Sequence, residues 1–179
     1  LGMTSGIVLS TGFAASNVSA GDTGINGNWF WVANRNNGSF ATDPDLSTLS
    51  TAIQKNMCKL EFDFIPKGDT VYFQYVFGSE EYPGYICTQY NDVFGFFISG
   101  PGITGNKNIA LVPGTSIPVA INSINDSSAT GPFCTGMGSG SPFKKYYVSN
   151  NQNFTVFNGF TKLMSAKSAV SPYQTYHIK

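Results

Sequence analysis

Glu80, Glu81 and Asp92 lie within the single stretch FGSEEYPGYICTQYNDVFGFFISGPG, Phe77 to Gly102, of a chain that has only ten acidic residues in 179. Asn91 stands beside Asp92. Oxygen-bearing side chains at this density suit a hard cation, because Ca²⁺ takes about six to eight oxygens from carboxylates, carbonyls and amides. The excursion leaves one strand and returns to another, so Glu80 and Glu81 should face Asn91 and Asp92 across its base. Asp43 and Asp45 form a second acidic pair on another loop. If the two loops share one end of the fold, five carboxylates converge, and a bound cation relieves their repulsion. The expectation is a calcium site built from Glu80, Glu81, Asn91 and Asp92, with Asp43 and Asp45 as further ligands. The competing reading needs no metal. Ser79-Glu80-Glu81 would anchor a turn by accepting backbone N–H groups, and Asn91-Asp92 would form an Asx-turn. No EF-hand spacing is present, so clustering alone carries the metal reading.

Catalysis finds less support. A glycosidase needs two carboxyl groups at a set separation across a sugar. Neighbours on an extended backbone point to opposite faces, so Glu80 and Glu81 cannot be that pair. Either would have to work with Asp92, and nothing in the spacing demands it. His177 is the lone histidine, no G-x-S-x-G or P-loop occurs, and the glycine-rich Gly136-Met137-Gly138-Ser139-Gly140 lacks a phosphate-binding lysine. The expectation is a non-catalytic protein. Tyr82, Tyr85 and Tyr90 sit in the same loop as the carboxylates, and exposed tyrosine rings are good platforms for sugars and for protein partners. Cys87 and Cys134 both fall in Gly/Pro/Ser-rich loops and could pair in an oxidising compartment; three unpaired thiols are the alternative. Cys58 precedes an apolar strand and is expected to be a buried free thiol. With one histidine and no C-x-x-C, zinc is not expected.

The elements that must position these groups read as strands. Leu60, Phe62 and Phe64 alternate with Lys59, Glu61 and Asp63. After Pro66-Lys67-Gly68-Asp69, Val71, Phe73, Tyr75 and Phe77 alternate with Tyr72, Gln74 and Val76. Period two with one polar face predicts an antiparallel hairpin. Further strands are expected over Gly6–Gly12, Val93–Ile98, Asn108–Val112, Ile117–Ile124, Tyr146–Val148, Phe154–Phe157, Phe160–Met164 and Tyr173–Ile178, with Ser99–Gly102 as a turn. Asp43 as a cap, Pro44 at the first helical position and Leu46, Leu49 and Ile53 at helical spacing predict one short helix. The fold class is all-β: an antiparallel, jelly-roll-like β-sandwich with long loops and at most one or two short helices. Residues 1–179 form one module, expected to be a fragment of a longer secreted protein.

Composition agrees. Net charge is zero, 11% of residues are charged and 15% are aromatic. There is no basic stripe for nucleic acid and no polybasic patch for a membrane surface. No apolar run is long enough to insert into a bilayer as a helix.

Four segments together resemble a known family: Leu60-Glu61-Phe62-Asp63-Phe64; Gly68-Asp69-Thr70; Tyr75-Val76-Phe77-Gly78-Ser79-Glu80-Glu81-Tyr82-Pro83; and Asn91-Asp92-Val93-Phe94-Gly95-Phe96-Phe97-Ile98-Ser99-Gly100-Pro101-Gly102. Ser5–Gly12, Asp43–Leu46, Asn108–Thr115 and Phe157–Thr161 match as well. The chain is similar to the choice-of-anchor L domain of secreted bacterial surface proteins. The resemblance implies an extracellular β-sandwich on the cell surface of a Gram-negative bacterium, typically of the Bacteroidota, with export by type IX secretion and a role in adhesion or gliding. Implied partners are a surface glycan or protein ligand, other domains of the same chain, and filament neighbours. A carbohydrate-binding module and a filament subunit that exchanges strands are the alternatives. Two departures stand out. Asn158 replaces the aspartate of the family's usual Tyr-Asp-Gly-Phe-Thr, and the final family segment is absent after Thr175-Tyr176-His177-Ile178-Lys179.

Overall fold

The structure, a computed structural model, describes residues 2–12, 42–50, 55–128, 130–134, 136–137, 140–150 and 155–179. Its strands are β1 (Phe62–Phe64), β2 (Thr70–Tyr75), β3 (Gly78–Ser79), β4 (Phe97–Gly100), β5 (Ile103–Asn108), β6 (Tyr147–Ser149), β7 (Gly159–Thr161), β8 (Met164–Ala169) and β9 (Tyr176–Ile178). They form three antiparallel sheets in the orders β1-β9-β4-β5, β2-β8 and β3-β7-β6. The fold is all-β, as the alternation predicts.

Alternation explains the layering. In β8, Met164, Ala166 and Ser168 point inward, while Ser165, Lys167 and Ala169 face out. The inward row packs with Tyr75 of β2 against Ile98 of β4 and Tyr176 and Ile178 of β9, and Val112, Val119 and Ile124 complete the same core. Aromatic rings fill the space between. Phe73 stacks on Phe96 at 5.2 Å, and Tyr75 lies 4.8 Å from Phe94. Tyr75 carries the one buried side-chain polar atom without a hydrogen-bond partner among the described residues, its hydroxyl.

Several pairings differ from the sequence expectation. The segments before and after Pro66–Asp69 are strands, but they do not pair with each other. β1 pairs with β9, and β2 pairs with β8. The Pro66–Asp69 link runs beside the link from β8 to β9, with Tyr173 N–H donating to the Pro66 carbonyl and Val170 N–H to that of Asp69. One antiparallel ribbon, β1–β2 against β8–β9, therefore bends over a corner and serves two sheets, a device of sandwich folds. Phe160–Met164 is likewise split between β7 and β8.

Val93–Ile98 is a strand only from Phe97, because the Asn108 side chain takes the Phe96 N–H that a ladder would use. Val93 makes a single bridge to Ala120. Ser99 and Gly100 extend β4, and the turn falls at Pro101-Gly102, where Gly102 has φ +78°. The next strand starts at Ile103, earlier than Asn108. Ile117–Ile124 contributes bridges at Pro118 and Ala120 and then turns, with Ile124 N–H donating to the Ala120 carbonyl. No strand forms over residues 2–12, where Ile7, Val8 and Leu9 are exposed, or over residues 155–157. Cys58 is exposed, because the chain reaches the sheet only at Phe62. The predicted helix is a single 3₁₀ turn, Leu46–Thr48, with Asp43 Oδ1 accepting the N–H groups of Asp45 and Leu46. Ile53 lies outside the described residues.

Candidate functional site

The loop between β3 and Val93 is closed at its base by Ser79. The Ser79 hydroxyl donates to Asp92 Oδ2 at 2.6 Å and accepts the Glu81 N–H at 3.0 Å. Asn158, next to β7, donates its N–H to the Ser79 carbonyl and its Nδ2 to the Glu80 carbonyl at 2.6 Å. An aspartate at position 158 has no donor for that carbonyl, so this departure from the family pattern makes a bond of its own. Asp92 is tied in turn by Ile121 N–H donating to its carbonyl.

The Ser79 hydroxyl therefore holds the Asp92 carboxylate beside the Glu81 backbone at the loop base, whereas Asn91, expected to join them, turns its side chain to Asn122 and Met137. Glu80 is pushed up to about 7 by burial and by the charges of Glu81 and Asp92. Glu81 is raised by burial and then by Asp92. Asp92 is raised by the protein packed around its carboxylate, against the Ser79 hydrogen bond. The residue nonetheless keeps a solvent-exposed side, and water there offsets part of the rise. Among the described residues no group of three or more His, Cys, Asp or Glu side chains is placed to hold a metal ion.

Asp43 and Asp45 do not join this group; they hold Lys179 instead. The Lys179 ammonium contacts Asp43 Oδ1 and Oδ2 at 2.9 and 3.0 Å and also Asp45 Oδ2. Lys59 lies 3.9 Å from Asp43, and Asn106 donates to both oxygens of Asp45. Asp43 is 4% exposed. Burial raises its pKa; the Lys179 ammonium and the two N–H groups outweigh that and hold it below the usual value. Lys179 is raised in return: burial lowers it, and hydrogen bonds to Asp45 and Asp43 prevail.

The three loop tyrosines divide. Tyr82, on a cis bond to Pro83, is 1% exposed. Its hydroxyl donates to the Ile124 carbonyl at 2.6 Å and its ring lies 4.9 Å from Tyr147. It is a core anchor and not the surface platform expected. Gly159 makes room for the pair, since a Cβ there would stand 2.6 Å from the Tyr147 ring and 2.9 Å from Tyr82. Tyr85 and Tyr90 are exposed and meet edge to face at 5.5 Å.

Between these two tyrosines in the chain, Cys87 forms a disulfide with Cys134, with Cα atoms 4.9 Å apart. Asn122, 1% exposed, ties the same two segments together. Its Oδ1 accepts Cys87 N–H at 2.7 Å, and its Nδ2 donates to the carbonyls of Thr88 and Phe133. Asn91 Oδ1 accepts the Asn122 N–H at 3.2 Å. Sequence reasoning missed Asn122; the signal available was a polar residue inside the apolar run Val119–Ile124.

A family model described as the choice-of-anchor L domain matches residues 1–179. No curated protein and no solved structure matches the chain.

Proposed function

The chain belongs to the choice-of-anchor L domain family, and from that premise we propose that it is a non-catalytic recognition module of the bacterial cell surface. Its binding element would be the loop from Glu80 to Asp92. The family suggests surface association, and a disulfide is at home in an oxidising compartment. The observation that carries the reading is the contrast within the loop. Buried Tyr82, the Cys87–Cys134 bond and buried Asn122 fix it, while Tyr85 and Tyr90 stand exposed. A rigid loop loses little conformational freedom on binding, and tyrosine gives large contact area at low entropy cost.

No helix among the described residues is long and apolar enough to cross a membrane. The test is display of the chain on a non-adherent bacterium, with adhesion counted on mucin-coated and fibronectin-coated surfaces. Adhesion to either coating, lost about tenfold or more in the Tyr85→Ser/Tyr90→Ser variant, supports the proposal. Adhesion that is absent, or equal in the variant, overturns it.

A further inference from the structure

A cavity of about 250 Å³ opens at Thr88, Gln89 and Asn91, the residues that bracket Tyr90 in the loop. Three sets of residues wall it: Ser47–Ser50 after the Asp43 turn, Thr88, Gln89 and Asn91 of the loop, and Pro132, Phe133 and Met137. Asn122 forms part of the lining and hydrogen-bonds to both of the latter walls, and the disulfide joins them covalently.

The chemistry of the lining is specific. Among the described residues none in it is ionisable: hydroxyls come from Ser47, Thr48, Ser50 and Thr88, amides from Gln89, Asn91 and Asn122, and apolar surface from Leu49, Pro132, Phe133 and Met137. Two amides have capacity to spare. Gln89 is exposed and makes no hydrogen bond among the described residues. Asn91 is partly buried, and its Nδ2 finds only the Met137 thioether, a weak acceptor, at 3.9 Å. Phe133 is 45% exposed at the same cavity.

Resting on the recognition reading above, the geometry points to this cavity as the binding site for one neutral sugar ring, such as the end of an uncharged glycan. The absence of charge among the described lining residues disfavours anionic and cationic ligands, whose desolvation would find no counter-charge there. Donors and acceptors interleaved with apolar surface fit a ring that carries hydroxyls on its edge and C–H groups on its face. Phe133 offers a flat apolar surface for that face, and Asn91 Nδ2 a donor for a hydroxyl. The volume falls below the roughly 300–1,000 Å³ of pockets for drug-sized ligands, so the cleft has room for one ring and the rest of a chain would continue past Tyr90 and Tyr85. Two of the three walls are cross-linked, so the site is formed before the ligand arrives.

The test uses the methyl glycosides of glucose, galactose, mannose, fucose and N-acetylglucosamine, followed by saturation-transfer NMR, and an array of neutral and sialylated glycans with a peptide array beside it. Binding of at least one neutral sugar is expected, with Kd on the order of 1 mM for a single ring. Phe133→Ala and Gln89→Ala, both at exposed side chains, should weaken it about tenfold, and the distant exposed Tyr72→Ala should leave it unchanged. Asn91→Asp keeps the oxygen that accepts the Asn122 N–H but loses the donor, and should also weaken binding. A blank for every neutral sugar, or binding indifferent to Phe133 and Gln89, overturns the inference. So does a peptide that binds through Phe133 while the glycans stay blank; in that case the adhesion test on Tyr85 and Tyr90 still decides the recognition reading separately.

Discussion

Replacing Glu80 with glutamine should stabilise the protein at neutral and basic pH and leave it almost unchanged in mild acid. The Glu80 carboxyl moves from 4.5 to about 7 in the fold. A tenfold change in proton affinity corresponds to about 1.4 kcal/mol, which sets a ceiling of about 3 kcal/mol. The side chain is only partly buried, and solvent screening reduces the effect to about 1–2 kcal/mol. The sign follows from proton binding. Between about pH 4.5 and 7 the folded state holds more protons at this site than the unfolded chain, so stability falls as pH rises across that window and stays low above it. Glutamine keeps the shape and removes the charge. Calorimetric melts from pH 4.5 to 8 should show Glu80→Gln melting about 2–8 °C higher than the parent at pH 8, with the gap closing toward pH 4.5. A gap that does not depend on pH, or a variant that melts lower at pH 8, refutes the reasoning. A calcium arm adds a second check. If millimolar calcium raises the parent's Tm at pH 8 and chelator reverses it, a cation and not a proton relieves the repulsion among Glu80, Glu81 and Asp92.

Removing the disulfide with Cys87→Ser/Cys134→Ser should lower stability by about 2–4 kcal/mol, since the bond spans a sequence separation of 47 residues; denaturant titration reads the loss, and reduction of the parent should reproduce it. Two tyrosine-to-phenylalanine changes should move in opposite directions in the same titration. Tyr82→Phe leaves the buried Ile124 carbonyl without its 2.6 Å donor and should cost about 1–2 kcal/mol. Tyr75→Phe removes a buried hydroxyl that has no partner among the described residues and should be neutral or stabilising by about 1 kcal/mol. Lys179→Met leaves Asp43 and Asp45 facing each other and should cost about 2 kcal/mol at pH 7. Because the Asp43 pKa is depressed in the fold, that cost should fade in melts as pH falls below about 4.

Much of the layering was legible in the sequence because alternation reports which face of a strand is buried. Phe62–Phe64 and Thr70–Tyr75 are strands where period two placed them. Their partners were not legible. Period two fixes a face but not a neighbour, and both strands pair across the whole chain with β9 and β8. The capping role of Asp43 was readable from Asp43-Pro44, but the ion that Asp43 and Asp45 hold sits on Lys179 at the far end of the sequence. Glu80, Glu81 and Asp92 could be grouped because a loop must return near its start. Tyr82 could not be told from Tyr85 and Tyr90, since its burial depends on the Tyr147 ring and the gap at Gly159, both remote in sequence. Asn122 was hidden for a similar reason. A polar residue in an apolar run reads as a strand end until the carbonyls of Thr88 and Phe133 are seen to surround it.

The measurement closest to the central claim is adhesion of bacteria that display the parent chain or the Tyr85→Ser/Tyr90→Ser variant, at equal surface density, on mucin-coated and fibronectin-coated surfaces. The account predicts adhesion to at least one coating that drops about tenfold or more in the variant. The variant's Tm should change by only a degree or two, as befits exposed side chains. Equal adhesion by the two chains, or none by either, would contradict it.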